Sequence, residues 1–155
     1  MDDREKRPLP FPAYLVVAEP LTFRPRTVSL RTLPRRLPFG DYQLEGTTRC
    51  GVVERKQDLD ELKTNLTNPH RRENFVEELR QLSSCSHPLL YLEGTPLELS
   101  RTREADPASV ASLLLAVLSE HHIPLWCVPS SSESARRAGA EWVARHLIYA
   151  SLASP

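Results

Sequence analysis

The sequence is short of the residues that would tie it to several familiar classes. It has three cysteines, Cys50, Cys85 and Cys127, far apart and without a Cys-x-x-Cys pair. That excludes a disulfide framework and fits a reducing, intracellular setting. Its five glycines form no Gly-rich phosphate loop, so nucleotide hydrolysis has no support. The longest apolar run, Val110 to Leu118, is broken by Ser112 and falls well short of the roughly 20 residues that cross a bilayer. Nothing apolar follows the polar start Met1-Asp2-Asp3-Arg4-Glu5-Lys6-Arg7, so no export signal is read. Net charge is zero, which removes the overall basic excess of an indiscriminate nucleic-acid binder.

What is present describes an ordinary folded domain. A chain of 155 residues that is 40% hydrophobic and 26% charged has enough apolar surface for one core. Residues 1–12, polar and proline-spaced, read as a flexible tail, and residues 13–155 as a single domain. Tyr14 to Val17 and Thr27 to Arg31 read as strands, with a loop from Leu33 to Pro38. Asp41 to Glu45 and Gly51 to Lys56 form an antiparallel hairpin around Gly46 to Cys50. Asp58 and Glu61 open a helix carrying Leu59, Leu62 and Leu66, and a second helix after Pro69 places Phe75, Leu79 and Leu82 on one face. Leu89 to Leu92 and Leu125 to Val128 are buried strands. Helices from Pro107 to about His121, and from Glu133 to about Ala150, complete the chain. The expected fold class is α/β, a mixed central sheet flanked by helices, with an early hairpin carrying the chemistry.

Charge is unevenly spread. Between Pro20 and Gly40 stand Arg24, Arg26, Arg31, Arg35 and Arg36 with no acidic residue, a stretch that either meets phosphates or solvates a loop. Arg71 and Arg72 add two more cations on the second helix. His121 and His122 are adjacent and point apart on a helix, and His70, Cys85 and His87 lack zinc-ligand spacing. Ser130 to Ser132 read as a helix-capping loop.

The chemistry is concentrated on the hairpin. Residues two apart on a strand share a face, so Glu54 and Lys56 converge while Arg55 points the other way. Paired strands lie about 4.8 Å apart, which brings Asp41 towards Glu54. Two such carboxylates repel unless a cation lies between them, and oxygen ligands with room for water suit Mg²⁺, with Mn²⁺ as a substitute. In that scheme Asp41 and Glu54 hold the ion, and Lys56 orients or helps deprotonate the attacking water and offsets charge on the phosphate. An acid two residues before a lysine also occurs in ordinary salt-bridged strands.

The longer string decides between these readings. Gly40-Asp41-Tyr42, followed by Val53-Glu54-Arg55-Lys56-Gln57-Asp58-Leu59-Asp60, resembles the Gly-Asp-Tyr and Glu-Arg-Lys-x-x-x-Asp signature of the XPF-type structure-specific endonucleases, a branch of the PD-(D/E)XK superfamily. His70 to Leu82 and Leu90-Tyr91-Leu92-Glu93-Gly94 resemble the next helix and strand of that family. The resemblance implies a restriction-endonuclease-like fold and Mg²⁺-dependent cleavage of branched, flap or junction DNA in repair or recombination. It makes Asp41 and Glu54 metal ligands, Lys56 catalytic, and Arg55 and Asp60 supporting residues. Its alternative is a non-cutting DNA-binding or dimer-scaffolding module.

Two departures accompany the resemblance. The family opens with a strand reading Asp-x-Arg-Glu, and Val16-Val17-Ala18-Glu19-Pro20 is taken here as its counterpart. Only Glu19 then remains as an additional acid, with Arg24 or Arg26 as stand-in cations; Asp3-Arg4-Glu5 matches better in letters but lies in the polar tail. Relatives also carry helicase or helix-hairpin-helix modules, none of which is read here. DNA affinity is therefore expected from Arg24, Arg26, Arg35, Arg36, Arg71 and Arg72, from a partner, or from a homodimer through the last helix with Trp142 and Ile148. Seventeen arginines against three lysines suggest a GC-rich genome, and a stand-alone domain a bacterium or its virus.

Overall fold

In the computed structural model, residues 1–3, 6–19, 22–46, 51–95, 98, 107–129 and 132–153 are described. Strands β1 (Tyr14–Ala18) and β2 (Pro25–Ser29) form a separate antiparallel ribbon. The main sheet has the order β3 (Tyr42–Gln43), β4 (Gly51–Lys56), β5 (His87–Glu93), β6 (Leu125–Val128). β3 and β4 are antiparallel, and the β4–β5 and β5–β6 pairs are parallel. Helices α1 (Leu59–Thr67) and α2 (Pro69–Leu82) connect β4 to β5; α3 (Pro107–Glu120) precedes β6, and α4 (Glu133–Ala153) follows it. This is the mixed, helix-flanked α/β sheet that the sequence predicts.

Parallel strands need crossovers, and helices on both faces bury the sheet between them. On one face Val52, Leu90 and Leu92 pack with Leu62, Leu66, Phe75, Leu79, Val110 and Leu114. On the other, Val53, Leu89 and Tyr91 meet Ala140, Val143 and Leu147 of α4. Leu89 to Leu92 are therefore continuously apolar because both faces are covered. Small residues set how close α4 comes: a Cβ on Gly51 would stand 2.7 Å from Ala150 Cβ, and one on Gly139 would collide with the Tyr91 hydroxyl.

Helix starts follow local chemistry. The Asp58 side chain accepts from Asp60 N at α1, Asn68 Oδ1 accepts from Arg71 N at α2, and Ser132 Oγ accepts from Ala135 N at α4. Of the capping loop, Ser130 and Ser131 lie outside the described residues, as does the hairpin turn from Thr47 to Cys50.

Four expectations change. β2 starts at Pro25 rather than Thr27, and β3 is limited to Tyr42–Gln43 at the sheet edge. β6 is half-buried rather than fully buried because it is the opposite edge strand. The larger change concerns residues 1–12, which do not hang free. Leu9 is 3% exposed within the α4-side core, and its N–H donates to Tyr42 Oη at 3.0 Å. Asp2 is buried: its N–H donates to Asp41 O at 2.7 Å, and Asp3 N donates to Arg35 O at 3.1 Å. A polar segment cannot build a core of its own, yet it can complete one. Leu9→Ala is therefore expected to lower stability by about 2–3 kcal/mol in urea unfolding, whereas truncation in a free tail would stay within about 0.5 kcal/mol.

Candidate active site

Gly40 has φ +71°, and a Cβ there would overlap Val52 Cγ1. Glycine is thus required immediately before Asp41, on both conformational and steric grounds. The turn it permits aligns Asp41 with β4: Asp41 N donates to Val53 O at 2.9 Å, and Arg55 N donates to Asp41 Oδ2 at 2.7 Å. The carboxylate of Asp41 is consequently fixed against the strand between Glu54 and Lys56.

Glu54 and Lys56 share the helix-covered face, as their spacing predicts. Lys56 Nζ lies 2.7 Å from Glu54 Oε1 and 3.3 Å from Glu78 Oε2, and 5.4 Å from the centre of the Phe75 ring. Burial pushes the Glu54 carboxyl up to about 7, with the nearby Asp41 charge acting the same way and Lys56 against it. Burial alone would lower the Lys56 ammonium, but Glu54 and Glu78 outweigh it and hold the group in its charged form. These groups open into a cleft of about 320 Å³, whose lining also includes Asp2, Glu61 and Gln81.

Arg55 belongs to the opposite face. Its guanidinium is fully buried, donating from Nε to Glu93 Oε1 at 2.9 Å, from Nη2 to the same oxygen, and from Nη1 to Arg7 O at 2.6 Å. Arg136 Nε stands 3.9 Å from Glu93 Oε2, and its Nη2 donates to Pro8 O at 3.2 Å. The side chain expected to support the site is therefore turned away from Glu54 and Lys56 and has no exposure to solvent. Its ion pair ties β4 to the neighbouring strand β5.

Asp60 is exposed in the first turn of α1 and does not line the cleft; its neighbour Glu61 does. Glu19 is also remote: it sits just after β1, bound to Thr22 Oγ1 at 2.6 Å and Arg26 Nε at 3.1 Å. The strand β1 that contains Val16 and Ala18 packs through Leu15 and Val17 on Ala144 and Ile148 of α4. No residue of β1 lines the cleft, where a counterpart of the opening Asp-x-Arg-Glu strand was expected. Asp2-Asp3-Arg4-Glu5 fits that pattern letter for letter, and it brings Asp2 into the cleft. Arg4 and Glu5 lie outside the described residues. Polarity concealed Asp2, since an apolar run was sought where a single docked segment suffices. Glu78 was legible as the acid beside the buried Phe75–Leu79 stripe of α2, although its distance from Lys56 was not.

Arg24, Arg26, Arg35, Arg36, Arg71 and Arg72 are all exposed. Arg35 pairs with Glu45 at 3.1 Å. At the C-terminal helix, Trp142 is 60% exposed and stacks edge-on with Trp126, whereas Ile148 is core.

An all-oxygen pair of acids, Asp41 and Glu54, with Glu54 raised by burial and further by the Asp41 charge, suits a hard divalent cation that keeps most of its waters. Among the described residues no group of three or more His, Cys, Asp or Glu side chains is placed to hold a metal.

A mixed α/β sheet with a glycine-turned Asp and a Glu-x-Lys strand at its cleft defines a nuclease-like class of domain. The ERCC4 domain matches residues 1–137, and the chain belongs to that family. XPF from Aeropyrum pernix has a similar fold, with a TM-score of 0.56 at 21% sequence identity, covering 73% of this chain and 51% of that one. The chain thus spans about half the length of that protein. No curated protein matches the sequence.

Arg55→Ala strands the Glu93 charge beside Arg136 alone and is expected to cost about 3 kcal/mol of stability. Adding Glu93→Ala should return part of that loss in a double-mutant cycle. Additive losses would show that the two residues do not act as a pair.

Proposed function

We propose that this domain is a metal-dependent DNA endonuclease that hydrolyses phosphodiester bonds in branched, flap or junction DNA, in repair or recombination. The observation that carries the reading is the convergence of Asp41, Glu54 and a doubly paired Lys56 in one open cleft. Asp41 and Glu54 would hold Mg²⁺, with Mn²⁺ as a substitute, and that ion would supply Lewis acidity and an activated water.

The chain's own groups account for the remainder. Lys56, kept charged by its two glutamates, faces the cleft as a fixed positive group for a phosphate that gains charge during hydrolysis. It serves as a charge donor and orienting group rather than as a base. Asp41 is oriented by the Arg55 amide, and that amide by the strand that Arg55 clamps from behind. Asp2, buried and accepting from Leu37 N at 2.9 Å, supports the loop that presents Gly40 and Asp41.

A scaffold module has no need for clustered carboxylates beside a lysine, so the cutting reading is preferred. DNA contacts are assigned to the exposed arginines, and a homodimer, where formed, to the Trp142 face of α4. Among the described residues no helix is long and apolar enough to cross a membrane. An intracellular setting is part of the same proposal, since that is where the proposed DNA substrate is found.

Labelled duplex, flap, splayed-arm and four-way junction DNA incubated with Mg²⁺ or Mn²⁺ should be cut by the wild type. Glu54→Gln should abolish cutting, and Lys56→Met should slow it on the order of 10²–10³-fold. Binding without cutting by the wild type in both metals would leave the scaffold. Independently of activity, a divalent cation at about a hundred times Kd should stabilise the fold by about 2.7 kcal/mol. That gain should vanish in Asp41→Asn.

A further inference from the structure

The β1–β2 ribbon has one face that the fold does not use. Strand alternation commits Leu15 and Val17 to α4, so Tyr14 and Val16 point away, beside their cross-strand partners Ser29 and Thr27. Tyr14 is 69% exposed and Val16 56% exposed. Near the turn of the ribbon, Phe23 is 79% exposed with φ 54°. The left-handed region is strained for a bulky aromatic, yet the turn is pinned there: Phe23 N donates to Glu19 O, and Glu19 N to Arg24 O, both at 2.9 Å. Core packing does not explain an aromatic held outwards in strained backbone.

Around this face several arginines are left without an acidic partner among the described residues. Arg26 and Arg35 are engaged by Glu19 and Glu45. Among the described residues Arg24, Arg31 and Arg36 form no ion pair, and all three are exposed. From β2 the chain continues through Arg31, Arg35 and Arg36 to Gly40 and Asp41. These arginines thus lie, along the sequence, between the ribbon and the Gly40-Asp41 turn that lines the cleft.

We infer that the ribbon is a stacking platform for single-stranded DNA, with Tyr14 and Phe23 taking base faces and Arg24, Arg31 and Arg36 following the phosphates towards the cleft. Duplex DNA hides its base faces, whereas an unpaired strand offers both a π-face and a phosphate to each such pairing of aromatic and arginine. The choice of DNA as occupant rests on the nuclease reading, and it would explain a preference for substrates with a free arm.

Binding of a fluorescent oligothymidylate is measured in metal-free buffer containing EDTA, so the outcome does not depend on cleavage. Tyr14→Ser with Phe23→Ser should weaken binding about tenfold or more, at the scale of base–aromatic stacking, with an unchanged melting temperature. A second variant, Arg24→Gln with Arg31→Gln, should reduce the slope of log affinity against log salt by about 0.7 for each arginine removed. Wild-type affinity in the serine variant, or an unchanged slope in the glutamine variant, overturns the assignment. Loss of self-association in sedimentation with unchanged DNA binding overturns it too and gives the face to a second copy. Ribbon-dependent binding by a protein that cuts nothing would leave this inference standing and remove the nuclease.

Discussion

A buried ion pair on the reverse face of β4 ties the structure together. Arg55 and Glu93 satisfy one another between the sheet and α4, and Arg55 also binds the carbonyl of Arg7. Arg136 of α4 approaches the second carboxylate oxygen and the carbonyls of Arg7 and Pro8. Four parts of the chain thus meet at one desolvated charge pair: the N-terminal segment, two adjacent parallel strands and the last helix. Such a pair gains little over apolar packing but is costly to break, so it specifies one register rather than adding bulk stability. Because β4 alternates, fixing Arg55 on one face also fixes Glu54 and Lys56 on the other.

The cleft depends on that rigidity for an electrostatic reason. Glu54 is nearly withdrawn from water and lies close to Asp41, an arrangement that favours a protonated carboxyl near neutrality. Lys56 meets part of the imbalance and is itself shared between Glu54 and Glu78. The result is a site with excess acid held in place by backbone contacts, which a divalent cation would relieve. Gly40 contributes through geometry alone, since its left-handed turn and contact with Val52 leave no space for a side chain.

Much of this was legible beforehand. The helix start at Asp58, a second helix beginning about Pro69, the buried run Leu89–Leu92, and the common face of Glu54 and Lys56 all follow from local rules, and each is seen in the structure. The misplacements share one cause. By polarity residues 1–12 read as a tail, and by its apolar letters β1 reads as the opening strand. Yet Asp2 reaches the cleft through docking of the N-terminal segment, whereas β1 rests on α4 in a separate ribbon. Asp60 fitted a motif by spacing, but the α1 register faces it to solvent and turns Glu61 towards the cleft.

The sequence by itself determined the local identities: which residues turn, cap, alternate and carry charge, and that a Gly-Asp-Tyr and a Glu-Arg-Lys lie on neighbouring strands. Those properties depend on backbone sterics and on periods of two and 3.6 residues, which act over a few positions. Only the tertiary structure decided that Asp2 joins Asp41, that Glu78 shares Lys56, that Arg55 serves the core, and that Tyr14 and Phe23 are left uncovered. Each of those outcomes sets together or apart residues distant along the chain, through packing that no local pattern encodes.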